Sequence, residues 1–259
     1  MQLELDMSER VVLVTGGARG IGRGIAETFL AAGAAVVVCG RSEPESLPES
    51  GGTAATFVAA DVRDPDAVDT LVHTTVDRHG RLDVLVNNAG GAPPADSATV
   101  SPKFSKAIIE LDLLSPLVCA QRANAVMQGQ DDGGSIVNIA SVSALRANPN
   151  AAAYGAAKAG LLNLTQTLAV EYAPKVRVNA VSAGLIRTEQ AHLFYGDEEG
   201  IARVGATVPL GRMGLPSDIA QACLFLASPL AAYVSGANLL VHGGGEKPAY
   251  LDAATSTSG

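Results

Sequence analysis

Val11-Val-Leu-Val-Thr-Gly-Gly-Ala-Arg-Gly-Ile-Gly22 is the stretch that decides the fold. Four consecutive apolar residues, three of them β-branched, read as a strand buried on both faces. A run of glycines follows, and then a helical pattern through Ile21–Ala32. Gly16, Gly20 and Gly22 let the chain turn tightly and pack the new helix close to the strand. They also bring backbone N–H groups, among them those of Arg19, Gly20 and Ile21, to where a phosphate would sit. The spacing is not the GxGxxG of the general dinucleotide fingerprint. A glycine-rich turn alone is weak evidence; its place between a first strand and a first helix gives it weight.

Outward from this stretch the chain alternates short apolar runs with longer helical patterns. Strands are expected at Ala35–Cys39, Thr56–Val58 with Asp61 at its end, Leu82–Asn87, Ser135–Ala140, Val176–Val181 and Asn238–Val241. Helices are expected from Asp64-Pro65 to about His79, over Pro102–Met127, from Tyr154 to near Tyr172, and over Pro216–Ala227. Continuous apolar strands alternating with helices mean an α/β fold whose parallel, seven-stranded sheet is covered on both faces. No internal repeat or second domain boundary interrupts the pattern, so residues 1–259 are expected to form one domain, with 245–259 a mobile tail.

Composition narrows the function. Of 259 residues, 47% are hydrophobic and 17% charged, which is a globular balance with ample material for a core. A net charge of −8 without any basic run argues against nucleic acid or an anionic membrane as partner. No apolar run approaches the 18 or so residues of a membrane span, and the acidic first ten residues do not resemble a signal peptide. A soluble protein is expected. Cys39, Cys119 and Cys223 lie far apart in apolar surroundings, and the four histidines lack partners at ligand spacing. Neither disulfides nor a metal site is expected, and a reducing, cytoplasmic setting is the default.

Chemistry concentrates in Ser141–Lys158, SVSALRANPNAAAYGAAK. Tyr154 and Lys158, four residues apart, share one face of a helix at about 5–6 Å between Cβ atoms. A free phenol titrates near about 10. A neighbouring ammonium favours the phenolate and is expected to draw that value toward neutrality, where proton transfer is efficient. Ser141, at a strand end, is placed to hold a substrate oxygen; Ser143 is its rival, and the interval to Tyr154 favours Ser141.

Together, Gly16-xxx-Gly20-x-Gly22, Asn87-Asn-Ala-Gly90, Ser141 and Tyr154-xxx-Lys158 resemble, in order and spacing, the short-chain dehydrogenase/reductase family from about Glu9 to Gly244. The resemblance implies a three-layer, doubly wound Rossmann fold. It also implies hydride transfer between a nicotinamide cofactor and a ketone or secondary alcohol, with Tyr154 as general acid or base and Ser141 bonded to the reacting oxygen. Lys158 would hold the nicotinamide ribose and lower the phenol pKa. Asn88, Ala89 and Gly90 would line a ribose, Asp61 and Val62 would meet the adenine, and Gly184, Ile186 and Thr188 match the segment holding the carboxamide. Ala183 stands where the family usually has proline.

Asp112 occupies the register of the family's catalytic asparagine. An ionised carboxylate accepts hydrogen bonds but donates none, so a relay through Asp112 would be altered. At the end of the second strand, Gly40 and Arg41 replace the acid that would bind an adenosine 2′-hydroxyl. With Arg19 they favour NADP(H), NAD(H) remaining possible.

Gly91–Ser97, Val142–Asn150 and a helical lid over Glu189–Thr207 are expected to wall the pocket, with Arg146 and Arg187 available to an acidic substrate. A small carbonyl or alcohol compound is the expected partner, a 3-oxoacyl thioester being one form of it. A homotetramer is implied by the resemblance. A dinucleotide-binding sensor or assembly protein of weak turnover is the alternative of a different class.

Overall fold

A computed structural model describes residues 5–250. Its centre is a seven-stranded sheet: β1 (Val11–Thr15), β2 (Ala35–Gly40), β3 (Thr56–Ala59), β4 (Val84–Asn87), β5 (Gly134–Ser141), β6 (Val176–Ala183) and β7 (Asn238–Val241). The strands lie in the order 3-2-1-4-5-6-7, and every neighbouring pair is parallel. The order reverses at β1, which is buried along its whole length. That reversal opens the crevice at the carboxyl ends of β1 and β4 in which such sheets take ligands. A two-stranded antiparallel hairpin, Glu49–Ser50 with Thr53–Ala54, precedes β3 and was not anticipated.

Helices cover both faces. On one, α1 (Gly20–Ala31) and α8 (Pro216–Ala227) pack Ile25, Phe29 and Ile219 onto Val12, Val14 and Val181. On the other, α2 (Pro65–His79), α4 (Ser115–Gln128) and α5 (Ala152–Glu171) bury Leu71, Cys119 and Leu168 against Leu13, Leu85 and Val178. Burying each such side chain is worth about 1.5–3 kcal/mol. Alternating strand residues feed the two cores, which explains the unbroken apolar runs. Local signals set the boundaries: Asp64 caps α2 by accepting from the Asp66 N–H, Pro65 fills its first turn, and Gly80 ends it at φ +80°.

The helix expected over Pro102–Met127 is divided. An α-helical segment, α3 (Pro102–Ile109), gives way to a wide π turn at Glu110–Leu114 before α4. Pro116 has no N–H, so the Asp112 carbonyl lacks its α-helical donor. Ser115 instead gives both its N–H and its hydroxyl (2.9 Å) to the Glu110 carbonyl, five residues back. The widened turn carries Asp112 inward to complete burial.

The lid expected over Glu189–Thr207 forms two short helices, α6 (His192–Tyr195) and α7 (Glu198–Thr207). Of the tail expected to be mobile, 251–259 lies outside the described residues. Before it, Lys247 donates its N–H to the Thr207 carbonyl at 3.0 Å, and Glu246 pairs with Arg146. Among the described residues no helix is long and apolar enough to cross a membrane.

Candidate active site

The ends of β1 and β4 are tied together. Thr15 Oγ1 accepts the N–H groups of Asn88 and Ala89, each at 3.0 Å. Asn88 Nδ2 donates back to the carbonyls of Thr15 at 2.9 Å and Gly16 at 3.2 Å. This brace holds the glycine turn beside the Asn88-Ala-Gly90 corner. Gly22 is obligatory there, since a Cβ would run into the Gly16 carbonyl and the Asn88 amide.

Gly90 is constrained by the site itself. A Cβ on it would stand 2.5 Å from Asp112 Oδ1 and 3.2 Å from Lys158 Nζ. Asp112 Oδ1 accepts the Gly91 N–H at 2.9 Å and lies 3.3 Å from Lys158 Nζ; its Oδ2 is buried and has no partner among the described residues. Lys158 also donates to the Ile139 carbonyl of β5 at 3.0 Å, and its ammonium stands 5.7 Å from the Tyr154 ring centroid. Ser141 ends β5, with its hydroxyl accepting the Ser143 N–H at 3.1 Å. The rival Ser143 takes an amide N–H from Asn148 at 2.8 Å. Ser141, Tyr154, Lys158 and Asp112 therefore converge, from β5, from α5 and from the π turn.

Burial dominates the electrostatics. It raises the Asp112 carboxyl pKa, against the pull of Lys158 and the Gly91 N–H, and lowers that of Lys158, against the pull of Asp112. The Tyr154 phenol is pushed up to about 12, first by burial and next by the Asp112 charge, with the Ser141 hydroxyl opposing. The expectation that Lys158 lowers this pKa is therefore corrected for this structure. Asp112 compensates the ammonium at close range, and desolvation outweighs the rest.

The other residues expected to meet a dinucleotide are placed as follows. Arg19 is the N-cap residue of α1 in extended conformation, and Ile21 packs on the first core. Thr188 lies over the glycine turn, its Cγ2 3.6 Å from where a Gly20 Cβ would be. Ile186 bridges to Gly214, and Gly184 donates to the Val241 carbonyl at 3.0 Å. Val62 packs into the second core. Asp61 takes the Arg63 guanidinium on both oxygens, at 3.0 and 2.5 Å, which holds its pKa below the usual carboxylate range. Arg19 and Arg41 are exposed, and among the described residues neither is in an ion pair.

The sequence did not reveal Glu189 beside the glycine turn. Its Oε1 accepts the Gly20 N–H at 3.0 Å, at the N-terminus of α1. An exposed glutamate in a lid carries no signal of such a contact. A buried chain behind the site was also missed: Asn87 donates to Asn138 and Asn138 to Thr165, each at 2.9 Å. A polar residue inside the apolar run Ile136–Ala140 was its signal.

Known proteins give the family. A family model described as Enoyl-(Acyl carrier protein) reductase matches residues 16–246. The chain belongs to the short-chain dehydrogenase/reductase family. It is 39% identical to the L-rhamnose 1-dehydrogenase (NAD(P)(+)) of Azotobacter vinelandii, over 91% of this chain and 96% of the relative. It is 37% identical to the 3-oxoacyl-[acyl-carrier-protein] reductase of Synechocystis, over 92% and 97%. The ligand-free aldohexose dehydrogenase of Thermoplasma acidophilum superimposes with a TM-score of 0.85 at 34% identity, covering 93% of this chain and 94% of that one. As a short-chain dehydrogenase/reductase the chain is an oxidoreductase acting on CH–OH groups, in a family that uses NAD(P)(H).

Proposed function

We propose that the chain interconverts a ketone and a secondary alcohol with NADP(H), using Tyr154 as the proton donor and acceptor. The convergence of Tyr154 with Ser141, Lys158 and Asp112 at the mouth of the dinucleotide cradle carries this reading. A bound nicotinamide dinucleotide supplies or takes up the hydride. Ser141 holds the substrate oxygen against Tyr154, whose phenol keeps its proton at neutral pH and is ready to give it to the nascent alkoxide. Lys158 serves the nicotinamide ribose, and Asp112 sets the charge around the lysine. The cradle's holders are the 16–22 turn, Asp61, Val62, Asn88-Ala-Gly90, Gly184, Ile186 and Thr188. Arg41, directly after Gly40, and Arg19, at the N-cap of α1, are exposed and outside any ion pair among the described residues, and they support the phosphorylated cofactor.

Assays of ketones, secondary alcohols and 3-oxoacyl thioesters with both cofactors, followed by nicotinamide absorbance, test the reading. A dinucleotide-binding protein of weak turnover is the second reading. The Asp112–Lys158 pair favours it, because that pair removes the lysine's pull from Tyr154; absence of turnover with intact cofactor binding would establish it.

The buried free thiols support a cytoplasmic setting. Exposed Phe225, Leu230, Tyr233 and Leu240, from α8 to β7, support a homotetramer built on this edge. Light scattering at four times 26.2 kDa checks it.

A further inference from the structure

A cavity of about 350 Å³ opens beside Tyr154, between the loop after β4, the start of α3 and the entry to α5. Its size is at the lower end of the range for small-molecule sites. Val100, Phe104 and Ile108 form one wall, and alanines 151–153 with Tyr154 form the other. The alanines keep the space open, and no charged side chain lines it. Ala95 donates its N–H to the Asn150 carbonyl at 2.8 Å, which pins the loop after β4 to the entry of α5. Asn150 holds φ +64°, a left-handed conformation that asparagine tolerates better than most residues, and it turns the chain into α5.

The pocket walls expected from sequence did not include α3. Neither of the two arginines offered to an acidic substrate lines this cavity; Arg146 pairs with Glu246, and Arg187 lies 2.8 and 2.9 Å from the two oxygens of Glu198. A charged substituent entering this cavity would lose water without gaining a partner.

We propose that the cavity takes the uncharged, apolar arm of the substrate, an alkyl chain or alicyclic ring on the reacting carbonyl carbon. Phe104 and Ile108 set which arm fits. The inference rests on the oxidoreductase reading above and specifies its substrate class.

The test uses the full chain with 2-butanone, 2-hexanone and 2-octanone, and with 5-oxohexanoate as the anionic counterpart of 2-hexanone. Each added methylene is expected to raise kcat/KM about fourfold (about 0.8 kcal/mol) until the cavity is full. 5-Oxohexanoate should fall at least roughly tenfold below 2-hexanone. Ala152→Leu fills the cavity from the first turn of α5, where leucine is a good helix former. It should lower the ratio of kcat/KM for 2-octanone to that for 2-butanone roughly tenfold or more. A flat chain-length dependence in the parent, equal rates with the anionic ketone, or an unchanged ratio in the variant overturns the proposal. If no ketone turns over with either cofactor, the oxidoreductase reading on ketones fails by itself. Ligand-observed NMR of 2-octanone then judges the cavity alone: binding that Ala152→Leu abolishes supports it, and equal or absent binding overturns it.

Discussion

Asp112 Oδ1 stands 3.3 Å from Lys158 Nζ, and the two side chains are sealed in the protein at 0% and 4% exposure. An asparagine in this register would hold the lysine with a neutral amide. The carboxylate instead adds a charge that pushes the Tyr154 pKa further up and offsets part of the fall that burial imposes on Lys158. The raised phenol has a direct consequence. Oxidation needs the phenolate and should rise with pH across the neutral range, about tenfold per unit, while reduction, which uses the protonated phenol, stays flat.

Asp112→Asn removes the charge, so the Tyr154 pKa moves down. The oxidation profile should shift to lower pH, as should the alkaline fall of reduction. Rate–pH curves in both directions measure it. Superimposable curves for parent and variant would place Asp112 outside the proton path.

Tyr154→Phe deletes the proton donor and leaves the cradle intact. Turnover is expected to fall about 10²–10⁴-fold, with cofactor affinity changed only a few-fold. Stopped-flow rates and fluorescence titration of reduced cofactor separate the two; activity within a few-fold of the parent would refute the assignment.

Arg41 follows Gly40, so the end of β2 itself carries no acid to oppose a 2′-phosphate, although the Arg41 charge also reaches Asp61. NADPH should bind more tightly than NADH. Charge-assisted hydrogen bonds of about 1.5–3 kcal/mol make Arg41→Ala cost NADPH roughly 10–150-fold in Kd, while sparing NADH. Calorimetric Kd values decide it, and an equal loss for both cofactors would count against this role.

Glu189 places a carboxylate on the Gly20 N–H, where the anionic bridge of a dinucleotide would compete for the same helix N-terminus. Glu189→Gln should tighten binding of either cofactor about 2–5-fold, the gain shrinking as salt rises. Weaker binding in the variant would show that Glu189 supports the cofactor.

Much of the fold was legible because its signals are local. Short runs dominated by apolar, often β-branched residues marked the main-sheet strands, and Asp64-Pro65 and Pro216 marked helix starts that the structure reproduces. The Glu49–Ala54 hairpin escaped because two-residue strands carry no periodicity. The π turn escaped because the helical pattern continues through it. Its cause, a proline four residues after Asp112, takes effect only once the hydrogen bonds of that helix are counted.

The sequence by itself determined the parallel α/β architecture, the glycine turn, and the residue types gathered for proton transfer. Short-range sterics and hydrophobic periodicity act along the chain and can be read there. The tertiary structure alone decided the electrostatics. Tyr154 and Lys158 are four residues apart in sequence, but Asp112 reaches them only through the π turn and the contact allowed by Gly90. Burial then reverses the sign of the phenol's shift. Desolvation and Coulomb interactions depend on what surrounds a group in space, and Asp112, 42 positions from Tyr154 and 46 from Lys158, is part of that surrounding.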